Sequence, residues 1–295
     1  MAVFLDAFER WLRAARYKQD TIERAVRVLR MYLNYCSARN LSVLCRESAE
    51  EFLADSGRTI KAHTHLNYWR DLRMSFGFAV VQGLTSRNWI EQIPKPTPSV
   101  HERERDITYS EEEMRSLLAV CPAWNWLGVR DRAIVLVLWN CGFRASEVCA
   151  LLVTDVHWQD GEVLVRDGKG GSRYAGVMDA ECAEAVSLHL LRRRHDAALL
   201  FTDIHGGPLS RNALLQLLKR LARKAGWSGK SCFTHGFRHA FRDNKRELGL
   251  DDTDISGLLG HSTVVSTRTY GRRAVAQKAK ARLKTVLHEQ GRLAG

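Results

Sequence analysis

The stretch T-H-G-F-R-H-A at 234–240, followed by L-G-H-S-T-V-V-S-T-R-T-Y at 259–270, decides how the rest of the chain is read. His235 and Arg238 stand three apart in what reads as a helix, so they share one face. Gly260 is a natural stop for a short helix over 252–259, and His261 is presented directly after it. Tyr270 follows nine residues beyond His261, with Gly271 behind it as a second stop signal. Two histidines, an arginine and a tyrosine therefore converge. Arg and His donors suit an anionic phosphate, and a tyrosine can act as a nucleophile. Each group alone has an ordinary use: an H-x-x-R pair often caps or decorates a helix, and a tyrosine near a helix end often packs with its hydroxyl wet. The surrounding chain has to choose between these uses.

Working upstream, a capping box of Ser110 and Glu113 opens a helix carrying Met114, Leu117 and Leu118. An apolar helix over 131–139 leads into N-C-G-F-R-A-S-E-V-C-A-L, where Gly142 allows a bend and Arg144 and Glu147 lie three apart on the next helix. A three-stranded antiparallel meander follows. Residues 153–158 pair through Q-D-G with 162–166, and these pair through D-G-K-G-G with 173–178, placing Lys169 at the second hairpin's tip. Helices are expected over 180–195, from the N-cap Ser210 to Gly226, and in a tail from about 273 to 288. The tail stripe of Val275, Ala279, Leu283, Val286 and Leu287 is expected to dock on a neighbouring protomer, its own domain being the alternative. Gly226, Gly260 and Gly271 read as caps, and His239 as a packing histidine.

The front of the chain, 1–93, reads as all-helical. Val3, Leu5, Phe8, Trp11 and Leu12 recur at helical spacing, as do Ile22, Ala25, Val26, Leu29, Tyr32 and Leu33. A short helix over 48–54 and a longer one over 59–81 complete it. Arg24, Arg27, Arg30, Lys61, Arg70 and Arg73 fall on polar faces, either as solvated surface or as phosphate contacts along a groove. Pro94, Pro96 and Pro98 then fix φ and remove donors, so 94–106 is a linker and 107–295 a second domain.

The bulk numbers narrow the partners. A net charge of +12 over 295 residues favours a polyanion, nucleic acid first and an anionic membrane surface second. The longest apolar run, 133–139, falls far short of the roughly 20 residues of a spanning helix. The N-terminus lacks a basic region and a small-residue cleavage site. Seven cysteines stand singly, without a C-x-x-C pair, which speaks against a zinc site or a disulfide framework and for a reducing cytoplasm.

In chain order the second unit offers Arg144, Lys169, His235, Arg238, His261 and Tyr270. Here G-F-R-A-S-E, D-G-K-G-G, T-H-G-F-R-H and L-G-H with its distant tyrosine resemble the motifs of the tyrosine recombinase (phage integrase) family. The helical front resembles that family's core-binding domain, and the layout is similar to small Xer-type members without an arm-binding domain. Two departures stand out. Ser172 and Arg173 occupy the place of a frequent second lysine, and Gly271 and Arg272 follow Tyr270 where a small residue and a histidine are common.

The resemblance implies a mainly α fold with a small antiparallel β-sheet, a helical core-binding domain and an α+β catalytic domain. It implies a site-specific DNA recombinase acting through a 3′-phosphotyrosyl intermediate, without metal or other cofactor. Tyr270 is then the nucleophile, Arg144 and Arg238 clamp the phosphate, His261 donates to it, His235 takes the tyrosine's proton, and Lys169 protonates the leaving oxygen. Glu147 supports Arg144. Arg24, Arg27, Lys61, Arg70, Arg73 and Arg173 are candidate DNA contacts. The expected partners are double-stranded DNA with inverted-repeat sites, further copies in a synaptic tetramer, and a second recombinase or accessory protein, with no membrane. The alternatives are a type IB topoisomerase-like relaxing enzyme and a non-catalytic DNA-binding protein that retains the fold.

Overall fold

Helical periodicity accounts for most of the architecture in the computed structural model, which describes the main chain at 2–97, 107–166, 174–260 and 269–292, with side chains except those of Ala2 and 269–275. The described residues group into two compact units, Met1–Arg105 and Asp106–Gly295.

In the first unit, α1 (Ala2–Ala14), α2 (Gln19–Ala38), α3 (Arg46–Thr59) and α4 (Ala62–Val81) converge on Phe8, Leu12, Leu29, Tyr32, Leu72 and Phe76, all fully buried. The helix expected over 48–54 runs longer at both ends. Tyr35 on α2 and Arg39 at its C-cap each bond the Asp55 carboxylate at 2.8 Å, which holds the second half of α3 in register despite its polar composition. The next helix starts at Ala62 rather than 59, because Ile60 and Lys61 are extended.

The second unit begins with α5 (Glu111–Ala119), whose capping box is complete, and α6 (Trp126–Cys141). The apolar run over 131–139 is only the middle of α6. Asn125 caps it by accepting the Gly128 N–H at 2.8 Å, so the helix starts at Trp126, five residues before the expected start. Nearly every α6 side chain from Val129 onward is buried, as expected of a helix that is apolar all round. Gly142 ends it in the left-handed region, φ 60°, and turns the chain into α7 (Ala145–Ala150).

The meander is smaller than expected. Among the described residues its strands are β1 (Val156–His157), β2 (Glu162–Val165) and β3 (Tyr174–Val177), paired in the order β1-β2-β3 and antiparallel throughout. Residues 153–155 form a 3₁₀ turn because the Asp155 carboxylate accepts the Leu152 N–H at 2.8 Å and also pairs with Arg166. Helix α8 (Ala180–Arg192) packs on α6 and ends three residues before the expected 195. Helix α9 (Arg211–Lys224) starts at its Ser210 cap, and α10 (Thr234–Glu247) and α11 (Asp252–Leu258) follow.

The tail departs from expectation twice. Helix α12 spans Thr269–Glu289, so Gly271 lies inside it and is no stop. The stripe expected to dock on a neighbour is occupied within the chain: Ala279, Leu283 and Leu287 are at most 1% exposed against Val177, Phe241, Leu250, Ile255, Leu258 and Leu259. Val286 is half-buried beside them, and the side chain of Val275 lies outside the described residues. Lys280 and Lys284 fix the register by pairing with Glu162 on β2 at 2.7 and 2.9 Å.

Candidate active site

Arg144 is placed by the helix end before it and the helix start after it. It stands at the N-cap of α7, two residues beyond the left-handed Gly142. Glu147, one turn on, accepts the Arg144 backbone N–H at 2.6 Å and its Nη1 at 2.7 Å. Glu147 is nearly fully buried while the Arg144 side chain stays 22% exposed, so the carboxylate anchors a guanidinium that still faces solvent. A buried carboxylate is tolerable only when paired and hydrogen-bonded in this way.

Arg238 comes from α10 and is buried at 5% exposure. Its Nη1 donates to the Gly142 carbonyl and its Nη2 to the Leu259 carbonyl, both at 2.8 Å. One side chain thus ties the end of α6 to the end of α11, the elements that lead to Arg144 and to His261. Burial pulls its pKa below the ordinary arginine value, opposed by the neighbouring Tyr174. A guanidinium stays charged even so, and in a poorly solvated place its charge acts more strongly on a neighbouring anion than it would in water.

His235 is exposed one turn before Arg238, its ring edge-on to His239 at 5.1 Å. Gly236 between them is there for space. A Cβ at this position would lie 2.3 Å from the Tyr109 ring. That ring is buried, and its hydroxyl accepts the Phe233 N–H and donates to the Ser231 carbonyl, each at 3.0 Å, fixing the start of α10. Nothing local in the sequence connects Tyr109 to a helix more than a hundred residues later, so its part in the site was not legible.

Tyr174 was also missed. It opens β3, is buried at 5% exposure, and donates to Glu147 Oε2 at 2.6 Å. Burial first, and then the charge of Glu147, push its pKa well above the ordinary phenol value, so it serves as a donor. The alternation of inward residues on β2 and β3 was the available signal, since it turns Tyr174 to the same side as Val163 and Val165.

Lys169, Arg173 and His261 lie outside the described residues. Tyr270 falls in the first turn of α12, and only its backbone is described. Among the candidate DNA contacts, Arg24 grips the buried Asp71 through Nε and Nη2 at 2.8 and 2.9 Å, and Arg73 pairs with Glu91 at 2.9 Å. Arg27, Lys61 and Arg70 are exposed. Among the described residues, no cluster of three or more His, Cys, Asp or Glu is arranged to hold a metal ion, and no helix is long and apolar enough to cross a membrane.

A buried carboxylate holding one arginine, a second arginine strung between two helix ends, and an exposed histidine on that arginine's helix together make an oxyanion-binding corner. Residues 108–277 match the family model described as the phage integrase family. The chain belongs to that family, the tyrosine recombinases. It is 29% identical to the tyrosine recombinase XerA of Thermococcus kodakarensis over 97% of this chain and 96% of that one. It is 33% identical to XerA of Pyrococcus furiosus, over 61% of this chain and 59% of the relative. In fold it is similar to the lambda integrase bound to DNA, with TM-score 0.68 and 17% identity over 91% of this chain and 94% of that one. It is also similar to the Tn1549 transposon integrase in complex with transposon right end DNA, with TM-score 0.66 and 19% identity over 93% and 98%.

Proposed function

We propose that this protein is a site-specific recombinase that cuts and rejoins DNA through a 3′-phosphotyrosyl bond to Tyr270. The observation that carries the reading is that the buried Glu147 carboxylate holds Arg144 while Arg238, from a separate helix, grips the Gly142 carbonyl two residues before Arg144. Attack by a tyrosine on a phosphodiester stores the energy of the broken strand, so rejoining to a second 5′-hydroxyl needs no nucleotide. The non-bridging oxygens gain charge as the phenolate attacks, and two guanidiniums suit that charge better than the ground state. Ionising an ordinary tyrosine at pH 7 costs about 4 kcal/mol. His235 accepts that proton, and the arginines lower the remaining cost. His261 adds a donor to the phosphate. The leaving 5′-alkoxide is a poor leaving group, and Lys169 supplies its proton.

The partners follow from the same reading: duplex DNA with inverted repeats, and several protomers on it in a synaptic complex, with two helical units gripping each repeat. The domain division that goes with it is a core-binding domain at 1–93, a linker at 94–106 and a catalytic domain at 107–295.

The test is covalent trapping. The protein is incubated with nicked fragments of the DNA flanking its gene, and material retained on the protein under denaturing conditions is sequenced. Recovery of one short inverted-repeat site is expected, and Tyr270→Phe should bind that site but retain nothing. Retained DNA with the phenylalanine variant would move the nucleophile elsewhere. Wild-type binding without any covalent product would favour a non-catalytic DNA-binding protein. Relaxation of plasmids without site preference would favour the topoisomerase-like reading.

A further inference from the structure

Tyr174 has no role in the chemistry just described, yet it bonds the carboxylate that holds Arg144 and packs against the turn that leads to His261. It lies in the first position of β3, directly after the hairpin that carries Lys169. Its hydroxyl donates to Glu147 Oε2 at 2.6 Å, the same oxygen that accepts the Arg144 backbone N–H at 2.6 Å. The other carboxylate oxygen holds Arg144 Nη1 at 2.7 Å. The charge of Arg238 acts on the same phenol and opposes the upward shift of its pKa. The ring matters separately from the hydroxyl. Gly260 has φ +61°, and a Cβ there would lie 2.3 Å from the Tyr174 ring. The ring is therefore the wall against which the Leu259–Gly260 turn closes. That turn supplies the carbonyl held by Arg238 and leads directly to His261. Phe143 fixes the ring edge-on at 5.8 Å.

We infer that Tyr174 is a positioning residue for strand cleavage: its phenol holds Glu147, and through it Arg144, in the geometry needed beside Arg238, while its ring seats the turn before His261. The inference rests on the proposed recombinase reading. A bulky, strand-anchored phenol has two torsions to fix and packs on all sides, so it holds the carboxylate more rigidly than solvent could. Without the hydroxyl, Glu147 Oε2 keeps only the backbone N–H, and its carboxylate can rotate and carry Nη1 of Arg144 with it. Displacements on that scale matter where a phosphate must meet two guanidiniums at once.

Tyr174→Phe tests the hydroxyl alone, because the ring that seats Gly260 remains. The probe is a nicked duplex of the site mapped by covalent trapping, with single-turnover cleavage measured at saturating protein. The rate should fall about tenfold, as for the loss of one well-placed hydrogen bond. DNA affinity in a gel shift should change less than about twofold, since no DNA contact is removed. A residue needed only for stability would not discriminate between backgrounds, so the effect is measured again in Arg144→Lys and in Glu147→Gln. In both, the loss from Tyr174→Phe should shrink to less than about twofold, because the object being positioned is already gone. In a Lys169→Ala background it should remain near tenfold. Should Tyr174→Phe fail to fold, Glu147→Gln alone carries the question. It should slow cleavage with unchanged affinity, and a wild-type rate overturns the inference. An undiminished Tyr174→Phe rate, or a loss that is equal in every background, overturns it as well. Absence of covalent product with the wild-type protein overturns the recombinase reading itself, which is a separate result.

Discussion

At the scale of single residues, the second unit contains two positions whose cost is plain from their surroundings. Lys245 is 4% exposed on α10, and among the described residues it has a 3.4 Å bond to Asn244 and the Phe241 ring at 5.2 Å from its ammonium. Burial, with a smaller contribution from Arg292, lowers its pKa to about 8, and the Asp179 charge nearby offsets this only in part. An unfolded lysine titrates near 10.4. Between about 8 and 10.4 the unfolded chain binds more protons than the native one, so this residue makes stability rise with pH across that window. Below it the buried charge is a standing penalty of a few kcal/mol. Lys245→Met should therefore raise the melting temperature at pH 7, and the gain should shrink by pH 10. A gain independent of pH would mean that packing, not charge, was the cause. Gly236 gives the second case. Gly236→Ala should destabilise the unit by several kcal/mol, as overpacking against a fixed ring does. Adding Tyr109→Ala should restore part of the loss in a denaturant titration. If the double variant is simply the sum of the two defects, the Tyr109 ring is not what excludes the methyl group.

At the scale of elements, the sequence was most legible where a local rule applied and least where two distant segments met. The capping box at Ser110, the cap at Ser210 and the left-handed Gly260 are all local, and each stands where its residues imply. His235 and Arg238 were visible because three-residue spacing on a helix is itself a geometric statement; Arg144, expected on the same helix as Glu147, instead stands extended at its N-cap, and Glu147 reaches back to it from the first turn. Tyr174, Tyr109 and the two carbonyls that hold Arg238 were not visible, because their partners lie across the fold. The tail helix shows the same limit from the other side. Its stripe was read correctly as buried, but an apolar stripe says nothing about which surface buries it. In this structure α10, α11 and β3 do so. Leu283 is fully buried there, so Leu283→Ala should cost about 2–5 kcal/mol in urea unfolding of dilute protein. A cost under about 1 kcal/mol, or one that grows with protein concentration, would place the stripe on another protomer instead.

At the scale of the whole molecule, the question is where the +12 charge is used. On the proposed recombinase reading the protein makes many phosphate contacts with its site, and each contact releases about one counterion. With about 8 contacts, the logarithm of the association constant should fall against the logarithm of salt with a slope near −7. The first unit's arginines do not contribute equally to that slope. Arg24 is spent on Asp71, which is 1% exposed, so removing the arginine leaves a buried carboxylate unpaired. Arg24→Ala should lower the melting temperature and barely alter the salt slope. Arg27 and Arg70 are exposed on α2 and α4, and neither is held by an acid among the described side chains. Arg27→Ala and Arg70→Ala should leave stability within about 0.5 kcal/mol, as surface changes do. If they touch the backbone, each should flatten the slope by about 0.9. The measurement is a salt titration of binding to the mapped site, with each variant's melting curve beside it. A slope shallower than about −3 for the wild type would show that the excess charge is not deployed on DNA. A slope that flattens with Arg24→Ala but not with Arg27→Ala would place the DNA against a different face of the first unit.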